Sequence, residues 1–364
     1  MNLQNGINMK QLKKAGLVMA FLALTSVTVH AQYVTTHAKA SMPSQQNGIY
    51  YSLPRTVLQL DFIIEETQSF EGPYSNYVSY IGAESYVLED NKEYKIKEVQ
   101  LHVLAEADPN ATFFVAMSSK KDDKPNFCLT PQGILRGVGI DCPLEPQEKA
   151  HASLLESPNY PDEVTFKYQY GAGNNRGEEQ MARSAADMIS KIRDEKLKLI
   201  TGFQETAFSL DTYRQMYSDL EVMEDDYLSL FIGKQLTRTF VKTIYVIPNK
   251  EVPNQTVAKF STDDGLTAGT AGPGTAITVQ TQSMQTTANF NAPSQSAVES
   301  LNLENKLFYR IPEIANIKVN MGGNALLECR ETIAQYGVFM LAPLGKTKLA
   351  LDPQTGQIIS LGME

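Results

Sequence analysis

The sequence contains no tryptophan, three cysteines and four histidines among its 364 residues. Metal sites and acid–base catalysis draw heavily on histidine and cysteine, so few positions are available for either chemistry. Beyond the N-terminal region, no run of about 18 uninterrupted apolar residues has the length needed to cross a bilayer. The sequence therefore predicts a soluble protein with no metal site, no cofactor and no membrane span.

Residues 9–31 have the three parts of a secretory signal peptide. Three lysines precede an apolar run at residues 15–23, and Val-His-Ala at residues 29–31 forms a small-residue cleavage site. Cleavage before Gln32 removes the three lysines and takes the formal net charge from −9 to −12. No cysteine lies beside the cleavage site, which excludes a lipid anchor. We therefore expect residues 1–31 to be a signal peptide and the protein to be exported to the periplasm or the medium.

The three cysteines are Cys128, Cys142 and Cys329. In an oxidising compartment an odd number leaves one thiol over. Cys128 and Cys142 flank a glycine-rich stretch that resembles a hairpin, so the sequence allows a local disulfide between them. The alternative is that all three are free cysteines, buried as small apolar side chains.

The periodicity of apolar residues divides the mature chain into segments. Residues 32–47 are polar and without pattern, which is typical of a flexible leader. Residues 48–170 contain alternating, strand-like segments with a register slip near Glu98 that indicates a β-bulge. The period becomes helical in residues 171–236 and returns to two in residues 237–364.

Two helices are predicted in the central segment. In residues 178–201 apolar residues recur at spacings of three and four, and Gly202 ends this first helix. The same spacing predicts a second helix that begins after a cap at Ser209 or Asp211 and ends at Gly233. Two helices of about 23 residues joined by a six-residue connection favour an antiparallel helical hairpin. The predicted fold is α+β, with an N-terminal β-rich domain, this central hairpin, and a C-terminal all-β domain that is sandwich- or barrel-like.

Four blocks of the sequence resemble a known family. They are residues 51–56, 181–202, 230–233 and 307–319, within a similarity that extends over residues 48–361. The pattern is similar to that of an uncharacterised family of secreted proteins from gut-type Gram-negative bacteria, a domain of unknown function. The resemblance implies an exported protein of mixed architecture, and it supplies no activity and no catalytic residues.

Motifs of nucleophilic and nucleotide chemistry are absent or out of context. No Gly-x-Ser-x-Gly elbow occurs. A Ser-x-x-Lys match at residues 118–121 follows a strand and lacks its companion motifs. The glycine-rich segment 171–177 precedes a helix, but its spacing does not match a phosphate-binding loop. We predict no catalytic residues from these patterns.

Binding is the function that the sequence favours. Tyr74, Tyr77 and Tyr80 lie in a short predicted helix at residues 73–82 and can stack on a sugar or a partner; alternatively, two of the three are core residues. We expect a non-catalytic envelope protein that binds a partner protein or a glycan, and no nucleic acid because the chain is acidic. The alternative is a glycosidase-like hydrolase of extracellular polysaccharide or peptidoglycan, because sequence spacing does not reveal a pair of facing carboxylates.

Overall fold

The computed structural model describes residues 33–38, 47–117, 125–142, 164–168, 177–201 and 209–363. The predicted signal peptide, most of the predicted leader and residues 143–163 lie outside the described residues.

The described residues form fourteen strands, three α-helices and one short 3₁₀ helix. The strands are β1 (Tyr33–His37), β2 (Gly48–Phe70), β3 (Asn91–Met117), β4 (Phe127–Leu129), β5 (Leu135–Val138), β6 (Lys234–Val246), β7 (Asn254–Ser261), β8 (Gly265–Ala268), β9 (Thr275–Ser283), β10 (Asn302–Glu304), β11 (Lys306–Met321), β12 (Asn324–Pro343), β13 (Thr347–Leu351) and β14 (Ile358–Met363). The helices are α1 (Glu178–Thr201), α2 (Leu210–Ile232), α3 (Gln295–Ser300) and the 3₁₀ helix Ser75–Tyr80. The fold is α+β in outline and is dominated by β-structure.

The strands form three antiparallel sheets. Their strand orders are β10-β1-β3-β2-β6, β12-β11-β9-β7-β8 and β14-β13-β5-β4. The first and third sheets combine strands from both sides of the helical segment, and strand β6 spans the expected boundary at residue 237. The boundaries expected at residues 171 and 237 therefore do not separate sheets. Alternation identified the strands, but it carries no information about which strands pair over long distances.

Two apolar cores lie between the sheets, and the four long strands β2, β3, β11 and β12 contribute to both. Core 1 includes Leu53, Phe113, Phe308, Phe339 and Leu349. Core 2 includes Leu60, Phe62, Val99, Ile317 and Ile333. Each large apolar side chain that is fully buried stabilises the fold by roughly 1.5–3 kcal/mol. The two cores are therefore linked through shared strands rather than by a connecting loop.

Both long hairpins are interrupted by a wide bulge where they pass from one core to the other. Between β2 and β3, the single residue Leu53, just before Pro54, faces residues 108–111. Between β11 and β12, the single residue Pro312 faces residues 334–337. Proline has no backbone N–H to donate to a ladder, so a proline inside a strand favours a bulge. The same one-against-four arrangement thus bends both hairpins at corresponding places.

A smaller bulge lies farther along the first hairpin. Ile63 pairs with Glu98 and Ile64 pairs with Ile96, which leaves Lys97 as the extra residue. The bulge expected near Glu98 is confirmed.

The two long helices occupy the predicted residues and pack on each other. Ser209 is the N-cap of α2, and its hydroxyl accepts a hydrogen bond from the Thr212 N–H at 3.2 Å. Glu224 of α2 contacts Arg193 at 2.7 Å and Lys196 at 2.8 Å, both on α1. Burial acts to raise the pKa of Glu224, but these two cations outweigh it and hold that pKa below its ordinary value. Their connection, residues 202–208, lies outside the described residues, so the hairpin stays a prediction.

The start of the expected flexible leader is a strand. β1 pairs with β3 from Tyr33 to His37 and with β10 on its other side, and Tyr33, Thr35 and His37 are buried. The expectation was wrong for these five residues. A five-residue strand with two threonines and a histidine has little apolar alternation of its own, and only its place between two other strands stabilises it.

A disulfide joins Cys128 to Cys142, which are 14 residues apart. Cys128 lies in β4 and Cys142 follows β5, so the bond closes the small β4–β5 hairpin. Cys329 is a free, half-buried thiol in β12.

Candidate functional site

A cleft of about 1210 Å³ opens where the long strands pass from core 1 to core 2. It is lined by residues of both bulge segments (108–111 and 334–337), by the β6–β7 loop, and by residues around α3. Bulges redirect side chains and are frequent beside functional sites. We therefore treat this cleft as the candidate site.

Arg310, just before the β11 bulge, joins the two hairpins beneath the cleft. Its guanidinium donates to the Pro54 carbonyl at 2.5 Å and to Asp108 Oδ2 at 3.0 Å, and its plane lies 4.9 Å from the centre of the Phe339 ring. Burial lowers the pKa of Arg310, while the Asp108 carboxylate acts in the opposite direction. An arginine nevertheless stays charged at neutral pH. This buried ion pair fixes the distance between the two bulges.

The β3 bulge is held by its own side chains and by β1. Asp108 Oδ1 accepts the Asn110 N–H at 2.9 Å, so both carboxylate oxygens of Asp108 are occupied. His37 Nε2 lies 2.9 Å from the Asn110 carbonyl and donates to it. Strand β1 therefore supports one wall of the cleft.

Gln335 fastens the β12 bulge to its neighbours. Its Oε1 accepts the Thr56 N–H at 2.8 Å, and its amide donates to the carbonyls of Thr56 and Pro248 at 3.0 and 3.1 Å. The Ala334 N–H donates to Thr56 Oγ1 at 2.9 Å. These bonds replace the ladder that the bulge interrupts, and they tie the β6–β7 loop to β12.

Lys250 holds the β6–β7 loop against the second sheet. Its ammonium lies 3.5 Å from Glu313 Oε2 and 5.5 Å from the centre of the Tyr336 ring. Glu313 is buried and also accepts hydrogen bonds from the Ser283 and Thr287 hydroxyls. Burial acts to raise the pKa of Glu313, but these hydroxyls and Lys250 together lower it below its ordinary value. The loop is thus positioned by a carboxylate that stays charged.

The rim of the cleft is polar. Arg55 pairs with Glu106 at 2.5 Å, and both side chains are partly exposed. Six amide side chains line the opening: Asn110, Asn249, Asn254, Gln255, Gln295 and Gln335. The cleft therefore presents many hydrogen-bonding groups beside apolar ones such as Ile247 and Val252.

The three tyrosines proposed from the sequence lie elsewhere, beside the helices. Tyr74 is 2% exposed and packs against Phe231 with ring centres 5.7 Å apart, so its ring is not accessible to a ligand. Tyr77 and Tyr80 contact each other at 5.7 Å, and the Tyr80 hydroxyl donates to Glu179 at 2.9 Å. The structure removes Tyr74 from the candidate binding residues because α2 covers it. It leaves Tyr80 exposed, and Tyr80 is not among the residues that line the cleft.

Sequence reasoning missed every residue of the cleft. Arg310 and Asp108 are 202 positions apart, and no local pattern connects them. A signal was nevertheless present in Pro54 and Pro312, since a proline inside an alternating segment indicates a bulge or an edge.

Within the described residues, no helix is both long and apolar enough to cross a membrane. The same residues contain no group of three or more His, Cys, Asp or Glu side chains placed to hold a metal ion.

The family model that matches this chain spans residues 47–359, so it includes both bulged hairpins, the helices and the whole cleft. The chain belongs to DUF4831, a domain of unknown function. The resemblance to an uncharacterised family is thereby confirmed. No match was found among curated proteins, and none among solved structures. The DUF4831 match begins one residue before β2, so β1 is a strand that the family model does not cover.

Proposed function

We propose that this DUF4831 protein is an exported, non-catalytic envelope protein that binds a partner protein or a glycan in the cleft between its two cores. The observation that carries the proposal is the cleft itself, of about 1210 Å³, held by the Arg310–Asp108 ion pair and the Gln335 hydrogen bonds. A preorganised site of this kind reduces the entropy that is lost on binding.

Binding is favoured over hydrolysis by the state of the buried carboxylates. Both oxygens of Asp108 are engaged, one by Arg310 and one by a backbone N–H. Glu313, behind the wall, is held charged by four donors, the Ser283 and Thr287 hydroxyls, the Gln285 N–H and Lys250. A general acid needs a raised pKa and a proton to donate. The pKa of Glu313 is lowered, and each carboxylate oxygen of Asp108 already accepts a hydrogen bond.

The proposal includes export through the signal peptide at residues 1–31. The Cys128–Cys142 disulfide supports it, because such bonds persist in oxidising compartments. N-terminal sequencing of the protein from periplasm or medium should give Gln32. A cytoplasmic protein that retains Met1 or Met9 would contradict export. The proposal also includes an antiparallel connection between α1 and α2 through residues 202–208.

A bulky residue placed in the cleft tests the binding site directly. Val252 lines the cleft and is 48% exposed, whereas Val222, on the helix α2, is 53% exposed. Val252→Trp should abolish saturable retention of the mature protein on immobilised envelope glycans and proteins, because the indole fills the cleft. Val222→Trp adds the same bulk elsewhere and should bind as the parent does.

Equal binding by both variants would place the ligand outside the cleft. Turnover of a glycoside, peptide, ester or phosphate substrate, lost in Glu251→Gln or Glu299→Gln, would favour the hydrolase instead.

A further inference from the structure

The three cations that line the cleft are already paired with carboxylates. The ionisable lining residues of the cleft are three cations and three acids: Arg55, Lys250, Arg310, Asp108, Glu251 and Glu299. Arg55 contacts Glu106 at 2.5 Å, Lys250 contacts Glu313 at 3.5 Å, and Arg310 contacts Asp108 at 3.0 Å. An anionic ligand would have to displace one of these partners, which leaves a desolvated charge uncompensated. The three lining cations are therefore not available to an anionic ligand.

Amide side chains are prominent among the polar groups that line the opening. Asn110 and Asn254 are exposed, and each lines a different wall. An amide offers two N–H donors and a carbonyl acceptor, and a hydroxyl is likewise both donor and acceptor. A ligand rich in hydroxyl groups can satisfy these amides without any formal charge.

An extended peptide is less well matched to the same walls. Strand addition needs an edge with evenly spaced, unpaired backbone groups. The β12 segment in the cleft is instead the bulge 334–337, where the Ala334 N–H is bonded to Thr56 Oγ1. The bulge thus interrupts the regular edge that a peptide strand would use.

We infer that the cleft binds an uncharged oligosaccharide segment through hydrogen bonds between its amides and sugar hydroxyls. The inference rests on the proposed function and selects a glycan over a partner protein. The volume of about 1210 Å³ exceeds the roughly 300–1,000 Å³ of pockets for small molecules, so the site has room for more than one sugar ring.

Affinity electrophoresis with the mature protein tests this inference. Native gels contain one of four neutral polysaccharides (starch, xylan, laminarin or galactomannan) or one of two anionic ones (polygalacturonate or heparin). We expect retardation in at least one neutral gel and in neither anionic gel, with little change when 0.3 M NaCl is added. Asn110→Leu and Asn254→Leu should each weaken the retardation about tenfold, since each removes hydrogen bonds to the ligand. Asn324→Leu, an exposed amide at the far end of β12, should leave it unchanged.

The outcomes separate the inference from the proposed function. Retardation by an anionic polysaccharide alone, or by none of the six, overturns the inference. If an envelope protein is instead retained and Val252→Trp releases it, the proposed function stands and the glycan assignment fails. If Val252→Trp changes neither protein nor glycan retention, both fail. Thermal melts that match the parent show that a variant has folded.

Discussion

At the scale of single residues, the most informative pair is Arg310 and Glu313, which flank the Ile311-Pro312 step of β11. Both side chains are buried. Arg310 pairs with the carboxylate of Asp108, and Glu313 accepts a hydrogen bond from the Thr287 hydroxyl. A buried charge that keeps its partners is tolerated, whereas one that loses them is strongly destabilising. These two residues therefore set the geometry of the bulge from either side.

Glu313→Gln should destabilise the protein by about 1–3 kcal/mol at pH 7, because the new amide N–H₂ would face the Ser283 and Thr287 hydroxyl donors. The pKa of Glu313 is lowered in the folded state, so its contribution is complete above the unfolded pKa and is lost as the pH falls through the folded pKa. Urea melts should therefore show the difference between parent and variant at pH 7, and it should shrink below about pH 4.5.

Glu328→Gln is the matched control for that experiment. Glu328 also has a lowered pKa, held by a hydrogen bond from Lys318, but the pair is exposed on β12 and β11. Its substitution should leave the midpoint of unfolding unchanged within error. The explanation would be contradicted if both variants lost the same free energy of unfolding, or if the loss in Glu313→Gln did not depend on pH. Burial and the hydroxyl contacts of Glu313 would then not account for its contribution to stability.

At the scale of elements, the corresponding bulges explain how two long hairpins can each serve two cores. A continuous ladder would keep one face of each strand toward one core, whereas a bulge changes the register and the direction of the strand. Gly337 makes the second bulge possible. A Cβ there would lie 1.9 Å from the Ile311 carbonyl oxygen and 2.7 Å from Pro312 Cα.

Gly337→Ala should be destabilising by more than about 2 kcal/mol, because the contacting atoms are backbone and cannot move aside alone. The free energy of unfolding in urea measures the loss. Gly362→Ala on β14 is the control: its Cβ would meet Lys348 Cβ at 4.0 Å, and alanine is the better strand residue. If Gly337→Ala is as stable as Gly362→Ala, the close approach at the bulge is not real.

The disulfide belongs to the same scale, since it closes the β4–β5 hairpin. Cys142→Ser should lower the free energy of unfolding by about 3 kcal/mol, because the disulfide closes a loop of this length and restricts the unfolded chain. Cys329→Ser removes a half-buried thiol without opening a loop and should cost less. Thiol counting on the unfolded, unreduced protein should find one free thiol, and three would reject the bond.

At the scale of the whole molecule, the shared strands couple the two cores. Phe308→Ala in core 1 and Phe62→Ala in core 2 should each destabilise by about 3–5 kcal/mol. Both variants should lower the midpoint of one cooperative unfolding transition of the β-sheets. The reason is that each of the shared strands β2, β3, β11 and β12 packs in both cores, so one core cannot unfold while the other stays folded. Circular dichroism and tyrosine fluorescence should report the same midpoint. Two separated transitions, each lowered by only one variant, would show independent domains.

Local structure could be predicted from the residues alone wherever the apolar pattern was long and regular. The helical period placed α1 and α2, alternation placed β6 and about half of β2, and the slip near Glu98 marked a bulge. These features depend on neighbours within a few residues, so spacing is sufficient to recognise them.

Other features of the fold depend on long-range packing. β1 has no pattern that stands out from a loop, and it is a strand because β3 and β10 bond to it on both sides. Nor does local spacing reveal that the 334–337 bulge lies beside Thr56, about 280 residues earlier, or that Arg310 reaches Asp108. The cleft exists because two hairpins that are distant in sequence are each interrupted by a bulge, and the two bulges lie side by side. Contacts of that range depend on how whole sheets pack, and no short stretch of sequence contains that information.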